Sequence, residues 1–259
     1  MLTHNRFAFK KMLSGVLAVA GMLIVSLSAN AGTLTYSASG TNTYSGNNNP
    51  LSAAVVFDYD GSSVLKVTLQ NTVPGGAYVP SDVLTDLFWT SSSGVTLTPV
   101  SAVLGSGSTV VNPPGSYDLG KEWQYLAGLS GPGGTNTGIG SSGLGIFSSG
   151  NFSAGGNPTD GMNYGIISGV NAGANPAVNS GTFVNNSMVF TLSVGSGFNL
   201  NSISNVYFQY GTSLSEPRLA GQPSSPSNVP EPGTIAMLAT MGTSSLCFGI
   251  RRRTARRNA

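Results

Sequence analysis

The chain has 259 residues, of which only 8% are charged, 40% are hydrophobic and 36 are glycine, with a formal net charge of +2. That positive balance comes from the two ends: between them Lys66, Lys121 and Arg218 stand against nine carboxylates, a balance of −6, which excludes a basic nucleic-acid-binding surface. The single cysteine (Cys247) and the single histidine (His4) both fall in terminal segments, so the middle of the chain has no disulfide, thiol nucleophile, histidine base or ordinary zinc site.

The first 31 residues read as an export signal. Lys10 and Lys11 precede an apolar run from Met12 to Ser28, and Ala29-Asn30-Ala31 places small residues at the −3 and −1 positions for cleavage before Gly32. The competing reading is an uncleaved anchor helix. Secretion machinery, signal peptidase and passage through the inner membrane follow from the cleaved reading.

Residues 32–219 carry strand signals and no convincing helix. Thr33–Gly40 alternates as a first strand. Ala53–Tyr59 places Val55, Phe57 and Tyr59 on one face, and Val64–Asn71 places Leu65, Val67 and Leu69 on one face. Asp60-Gly61 between them predicts a hairpin turn. Val83–Ser91, Gly94–Leu104, Met188–Phe198 and Ile203–Ser213 continue the pattern, with Pro80 and Pro99 marking edges or boundaries. Trp123, Tyr125 and Leu126 read as core anchors. From Gly128 to Ser187 the only acid or base is Asp160, and the apolar islands Gly143–Phe147 and Asn163–Val170 predict loops and short strands packed over the core. About ten short strands with frequent turns imply an all-β fold: a single β-sandwich, jelly-roll-like, with long Gly/Ser/Asn-rich loops. Ala220–Asn228 reads as an extended Pro/Ser linker.

Chemistry in the body is sparse, and no cofactor is expected. Asp58 and Asp60 touch the D-x-D-G calcium pattern, but no glutamate follows at the twelfth position, so a hairpin turn is the bland alternative. Asp118 and Glu122 beside Trp123 and Tyr125 could form a two-carboxylate glycosidase site with aromatic sugar contacts. The bland reading packs both rings in the core. Tyr36, Tyr44, Tyr78, Tyr117, Tyr164, Tyr207 and Tyr210 are the remaining rings that could stack on a carbohydrate.

The tail is the most specific segment. Val229-Pro230-Glu231-Pro232-Gly233 cannot enter a helix or a central strand, because two prolines bracket one carboxylate. Thr234–Ile250 follows as an apolar run that would make a helix of roughly 25 Å, near the lower limit for spanning a bilayer core. Arg251, Arg252, Arg253, Arg256 and Arg257 then supply a stop-transfer charge that stays cytoplasmic and leaves the body outside. A buried C-terminal helix is the alternative, but it would not need those flanks.

This order of linker, V-P-E-P-G, apolar run and arginine cluster resembles the PEP-CTERM sorting signal over residues 229–257. The resemblance implies an exosortase partner that reads Pro230-Glu231-Pro232 and cuts near it in an exopolysaccharide-producing, biofilm-forming Gram-negative bacterium. Thr240, Thr243, Ser244 and Ser245 are polar departures inside the apolar run. The stretches VPSDVLTDLFW (79–89), LTPVSAVLGSGSTVV (97–111), EWQYLAGLSGPGG (122–134), SSGLGIF (141–147) and VYFQYGTSLSEP (206–217) make the body similar to a family of exosortase-dependent surface proteins. That likeness implies a cell-surface or matrix location and no chemistry. A structural or adhesive role follows, with a carbohydrate-binding module as the alternative.

Overall fold

The computed structural model describes residues 31–92 and 94–224. The opening strands are β1 (Gly32–Asn42), β2 (Asn49–Tyr59), β3 (Val64–Asn71), β4 (Leu84–Thr90), β5 (Leu97–Leu104) and β6 (Thr109–Val111). A one-turn helix α1 (Leu119–Glu122) leads into β7 (Gln124–Ala127), β8 (Thr137–Gly140) and β9 (Ile166–Ile167). After α2 (Pro176–Ser180) come β10 (Phe183–Asn185), β11 (Ser187–Val194), β12 (Ser204–Tyr210), β13 (Arg218–Ala220) and β14 (Gln222–Pro223).

The strands form two sheets. One has the order β14-β1-β2-β3-β11-β5 and is antiparallel throughout. The other runs β13-β12-β4-β9-β10-β6, with β8 also pairing β4 and β7 pairing β8. β1, β2 and β3 are consecutive neighbours in one sheet, so this part of the chain lacks the sheet-to-sheet alternation of a jelly roll. Pro99 sits in β5, the last strand of its sheet, next to the register shift that separates Thr191 from Leu192, in keeping with the inability of proline to donate to a central ladder.

The alternation read in β2 and β3 positions the core. Val55, Phe57, Leu65, Val67 and Leu69 are fully buried, and Tyr59 nearly so. They meet Leu84, Leu87 and Trp89 of β4 and Val206 and Phe208 of β12 in one cluster shared by both sheets. Phe57 contacts Trp89 edge-on at 5.5 Å, and the Tyr36 hydroxyl donates to the Ile203 carbonyl at 2.9 Å across the layers. The Asp60-Gly61 turn exists, but as a longer loop: Asp60 N–H donates to the Val64 carbonyl, with Gly61 at φ 81°.

The second sheet is covered on its outer face as well. Every residue from Leu84 to Trp89 is buried, so β4 lacks the alternating pattern of a half-exposed strand. Phe147, in the uncharged tract, stacks on Phe88 at 5.7 Å. Beneath this cover Asp86 lies between Gly140 of β8 and Gln209 of β12, its directly paired neighbours. A Cβ at position 140 would fall 2.0 Å from Asp86 Oδ1, so only glycine fits there. Both Asp86 carboxylate oxygens and Gln209 Oε1 are buried without a hydrogen-bond partner. The Gln209 amide cannot be turned around, because its Nε2 already donates to the carbonyls of Tyr210 and Ser213. Burial pushes the Asp86 carboxyl well above the usual range, and the nearby Thr85 hydroxyl and Ser142 amide oppose this only in part.

Asp86 therefore keeps its proton to higher pH in the folded body than in the unfolded chain, where a carboxyl titrates near pH 4. Its contribution to stability is complete below that value and declines as pH rises toward the folded pKa. We expect Asp86→Asn, which keeps the shape and supplies an N–H donor toward Gln209, to gain thermal stability relative to wild type as pH rises from 4 to 8. The wild-type stability should fall more steeply, by up to about 1.4 kcal/mol per pH unit in the titrating window. Parallel melting curves for the two proteins across that range would contradict the buried-acid assignment.

Candidate functional site

The two ends of the described body lie together. Gly32 opens β1 opposite Tyr59, and Ala31 precedes it, exposed. Cleavage before Gly32 would leave every paired residue of β1 in the body; Ala29 and the rest of the signal lie outside the described residues. At the other end, β14 pairs Gln222 with Ser37 and Pro223 with Tyr36, and Ser224 N–H donates to the Thr35 carbonyl at 2.8 Å. Ala220, Gln222 and Pro223, read from sequence as linker, are strand residues: Ala220 pairs with Tyr207 of β12, and Gln222 and Pro223 take the free edge of β1. Gly32 and Ser224 thus sit at one end of β1, about 10 Å apart along the strand. Val229, Pro230, Glu231, Pro232 and Gly233, the apolar run 234–250 and Arg251, Arg252, Arg253, Arg256 and Arg257 lie outside the described residues. Four residues separate Ser224 from Val229 in the sequence.

The remaining sequence candidates are placed in structural roles. Asp60 accepts from the amides of Ser62, Ser63 and Val64 through Oδ1 at 2.8–3.0 Å and from the Ser62 hydroxyl through Oδ2. Those bonds, that from Val64 foremost, hold its pKa at about 2. Its oxygens close the β2–β3 loop and are not gathered with other carboxylates. Asp58 is exposed within β2, opposite Lys66. Among the described residues, no group of three or more His, Cys, Asp and Glu side chains is arranged to hold a metal ion.

The carboxylate pair beside the aromatics is likewise committed. Asp118 caps α1 by accepting from Gly120 N–H at 3.0 Å and takes the Ser153 hydroxyl at 3.1 Å. Glu122 accepts from Asn157 at 2.6 Å. Partial burial raises its pKa, Asn157 opposes this, and the charges of Asp160 and Asp118 add to the rise. Trp123 and Tyr125 are buried, so neither offers a face to a sugar: Trp123 packs on Phe190 at 4.9 Å and Tyr125 on Trp89 at 6.3 Å. Burial pushes the Tyr125 hydroxyl up to about 12. These two rings are core residues, which corrects their assignment as candidate sugar contacts. Among the other tyrosines, Tyr36, Tyr164 and Tyr210 are buried, whereas Tyr44 and Tyr117 are exposed.

Asp60→Ala is expected to lower the melting temperature at neutral pH by loosening the hairpin loop. A carboxyl with a depressed folded pKa stabilises above its unfolded value, so the difference from wild type should vanish as the pH falls from 4 toward 2. A chelator should leave the wild-type melting temperature unchanged. A chelator-induced drop comparable to that of Asp60→Ala would instead assign the loop to a cation.

No curated protein and no solved structure matches the chain. Residues 228–253 match the PEP-CTERM protein-sorting motif. The match takes in Val229–Gly233, the whole apolar run and the first three arginines, Arg251, Arg252 and Arg253. The motif marks the chain as an exported protein of a Gram-negative bacterium, sorted at the membrane through its C-terminal end by an exosortase.

Proposed function

We propose that this is a non-enzymatic structural or adhesive protein of the cell surface or extracellular matrix, acting in an exopolysaccharide or biofilm setting. The observation that carries this reading is the sorting motif attached, a few residues on, to a two-sheet body. Signal peptidase removes residues 1–31, and the segment 234–250 holds the chain transiently in the inner membrane with Arg251–Arg253, Arg256 and Arg257 on the cytoplasmic side. The exosortase reads Pro230-Glu231-Pro232 and releases the body. The likeness of the body stretches to exosortase-dependent surface proteins supports the destination. The absence of catalysis is supported by the commitment of Asp118 and Glu122 to capping and loop contacts. A carbohydrate-binding body is the second reading, supported by an exposed hydroxyl-lined groove beside Tyr44.

The test separates reading of the motif from anchoring. In an exosortase-bearing host, Glu231→Ala is expected to insert with its body outside and to accumulate uncut in the membrane fraction. Replacing the five arginines by glutamine is expected to impair retention or orientation instead. Immunoblots of membrane and released fractions distinguish the two. Full-length membrane protein for both wild type and Glu231→Ala would reduce the tail to a permanent anchor.

A further inference from the structure

A groove of about 510 Å³ lies where β1 of one sheet approaches β13 of the other. Its lining residues include the hydroxyl-bearing Thr41, Thr43, Ser45 and Ser215, the exposed Tyr44 and the cationic Arg218, with no carboxylate among them. That composition is unusual for this body. Arg218 is one of three cations among the described residues, whose carboxylates number eight. Its guanidinium lies 5.5 Å from the centre of the Tyr207 ring and forms no ion pair with any described residue. The charged fork thus lies over an aromatic ring, on a residue that also lines the groove.

The backbone of Tyr44 is held in place by a chain of bonds that starts at a buried carboxylate. Asp82 is buried and accepts from Asn42 Nδ2 at 2.6 Å, from Asn49 Nδ2 at 2.8 Å and from the amides of Tyr78 and Val79. Asn42 also donates to Ser81 Oγ, and with its amide so fixed its Oδ1 accepts from Tyr44 N–H at 3.0 Å. Asn47 donates to the Tyr44 carbonyl at 2.7 Å. The next residue, Ser45, is in the left-handed region at φ 52°, a conformation that costs free energy for a residue with a Cβ. A buried network and a residue in the left-handed region thus fix the backbone of the segment that carries the exposed Tyr44 ring. Along β1, Thr41 is six residues from Thr35, where the chain leaves toward the tail, which places the groove roughly 20 Å from that exit.

We propose that this groove binds an acidic saccharide, a uronate-type sugar within a polysaccharide. The Arg218 fork donates to the sugar carboxylate, the Tyr44 ring lies against the C–H face of the pyranose, and the threonine and serine hydroxyls exchange hydrogen bonds with the ring hydroxyls. The volume suits one or two sugar units, and the position lets a body still tethered by its tail engage polymer outside the membrane. The assignment rests on the proposed exopolysaccharide setting only for where the ligand is met.

The experiment is calorimetric titration of the purified full chain in detergent with a mannuronate hexamer and with its carboxyl-reduced neutral counterpart. Wild type is expected to bind the acidic hexamer at least about tenfold more tightly than the neutral one. Arg218→Gln should erase that preference, whereas Tyr44→Ala should weaken both ligands together by several-fold. Tyr117→Ala, exposed but outside the groove lining, should bind as wild type does. Absence of binding by wild type, equal affinity for the two hexamers, or an undiminished preference in Arg218→Gln would overturn the assignment. If any of these is found while Glu231→Ala still blocks release, the groove assignment falls and the sorting reading stands.

Discussion

The body depends on the packing of Trp89 between its two sheets. That indole is fully buried, 5.5 Å from Phe57 of the facing sheet and 6.3 Å from Tyr125 of its own. A second seam joins Trp123 and Phe152 to Phe190 at 4.9 and 5.4 Å. With no cysteine between the termini and charge held to 8%, neither disulfides nor ion-pair networks can substitute for this contact. Truncating such an aromatic side chain costs about 3–5 kcal/mol, a large part of the stability of an ordinary domain. The Nε1 groups of both tryptophans lack partners, so they contribute through ring packing rather than through polar contacts.

The abundance of asparagine, serine and glycine has a matching explanation. Where a charged protein would pin its loops with ion pairs, this one uses uncharged amides. Asn71 Nδ2 reaches across to the Ile166 carbonyl, Asn136 bridges to both the amide and the carbonyl of Ser91, and Asn151 does the same for Tyr125. These bonds, with Phe147 and Ile166 as apolar anchors, order a tract that carries almost no charge. The surface that results is polar yet weakly charged. Asp82 and Asp86 show the two ways such a body tolerates a buried carboxyl: one surrounded by donors, the other with its pKa raised by burial beside an amide oxygen.

Much of this was legible in the sequence, and the exceptions have physical causes. β2 and β3 were visible because one face is buried and the other wet, so their alternation is explicit. β4 is buried on both faces and reads only as an apolar run containing an unexplained aspartate. β9 and β14 have two residues each and exist only through partners distant in sequence, which no local pattern encodes. Trp123 and Tyr125 next to acidic residues resembled a sugar site because sequence adjacency says nothing of depth. The Tyr44–Arg218 groove was hidden for the opposite reason, since its two halves are separated by most of the body. The tail was the clearest signal of all, because the motif that matches occupies contiguous residues, 228–253.

The account therefore joins a body that gathers the two ends of its described residues at one pole to the sorting motif matched beyond it in the sequence. Intact-mass analysis of the protein recovered from the surface or released fraction tests this union most directly, because one value reports both ends. The account requires a mass that begins at Gly32 and lacks Thr234–Ala259, alone or with a group attached at the new C-terminus. A mass that retains the apolar run and the arginines in that fraction would contradict it.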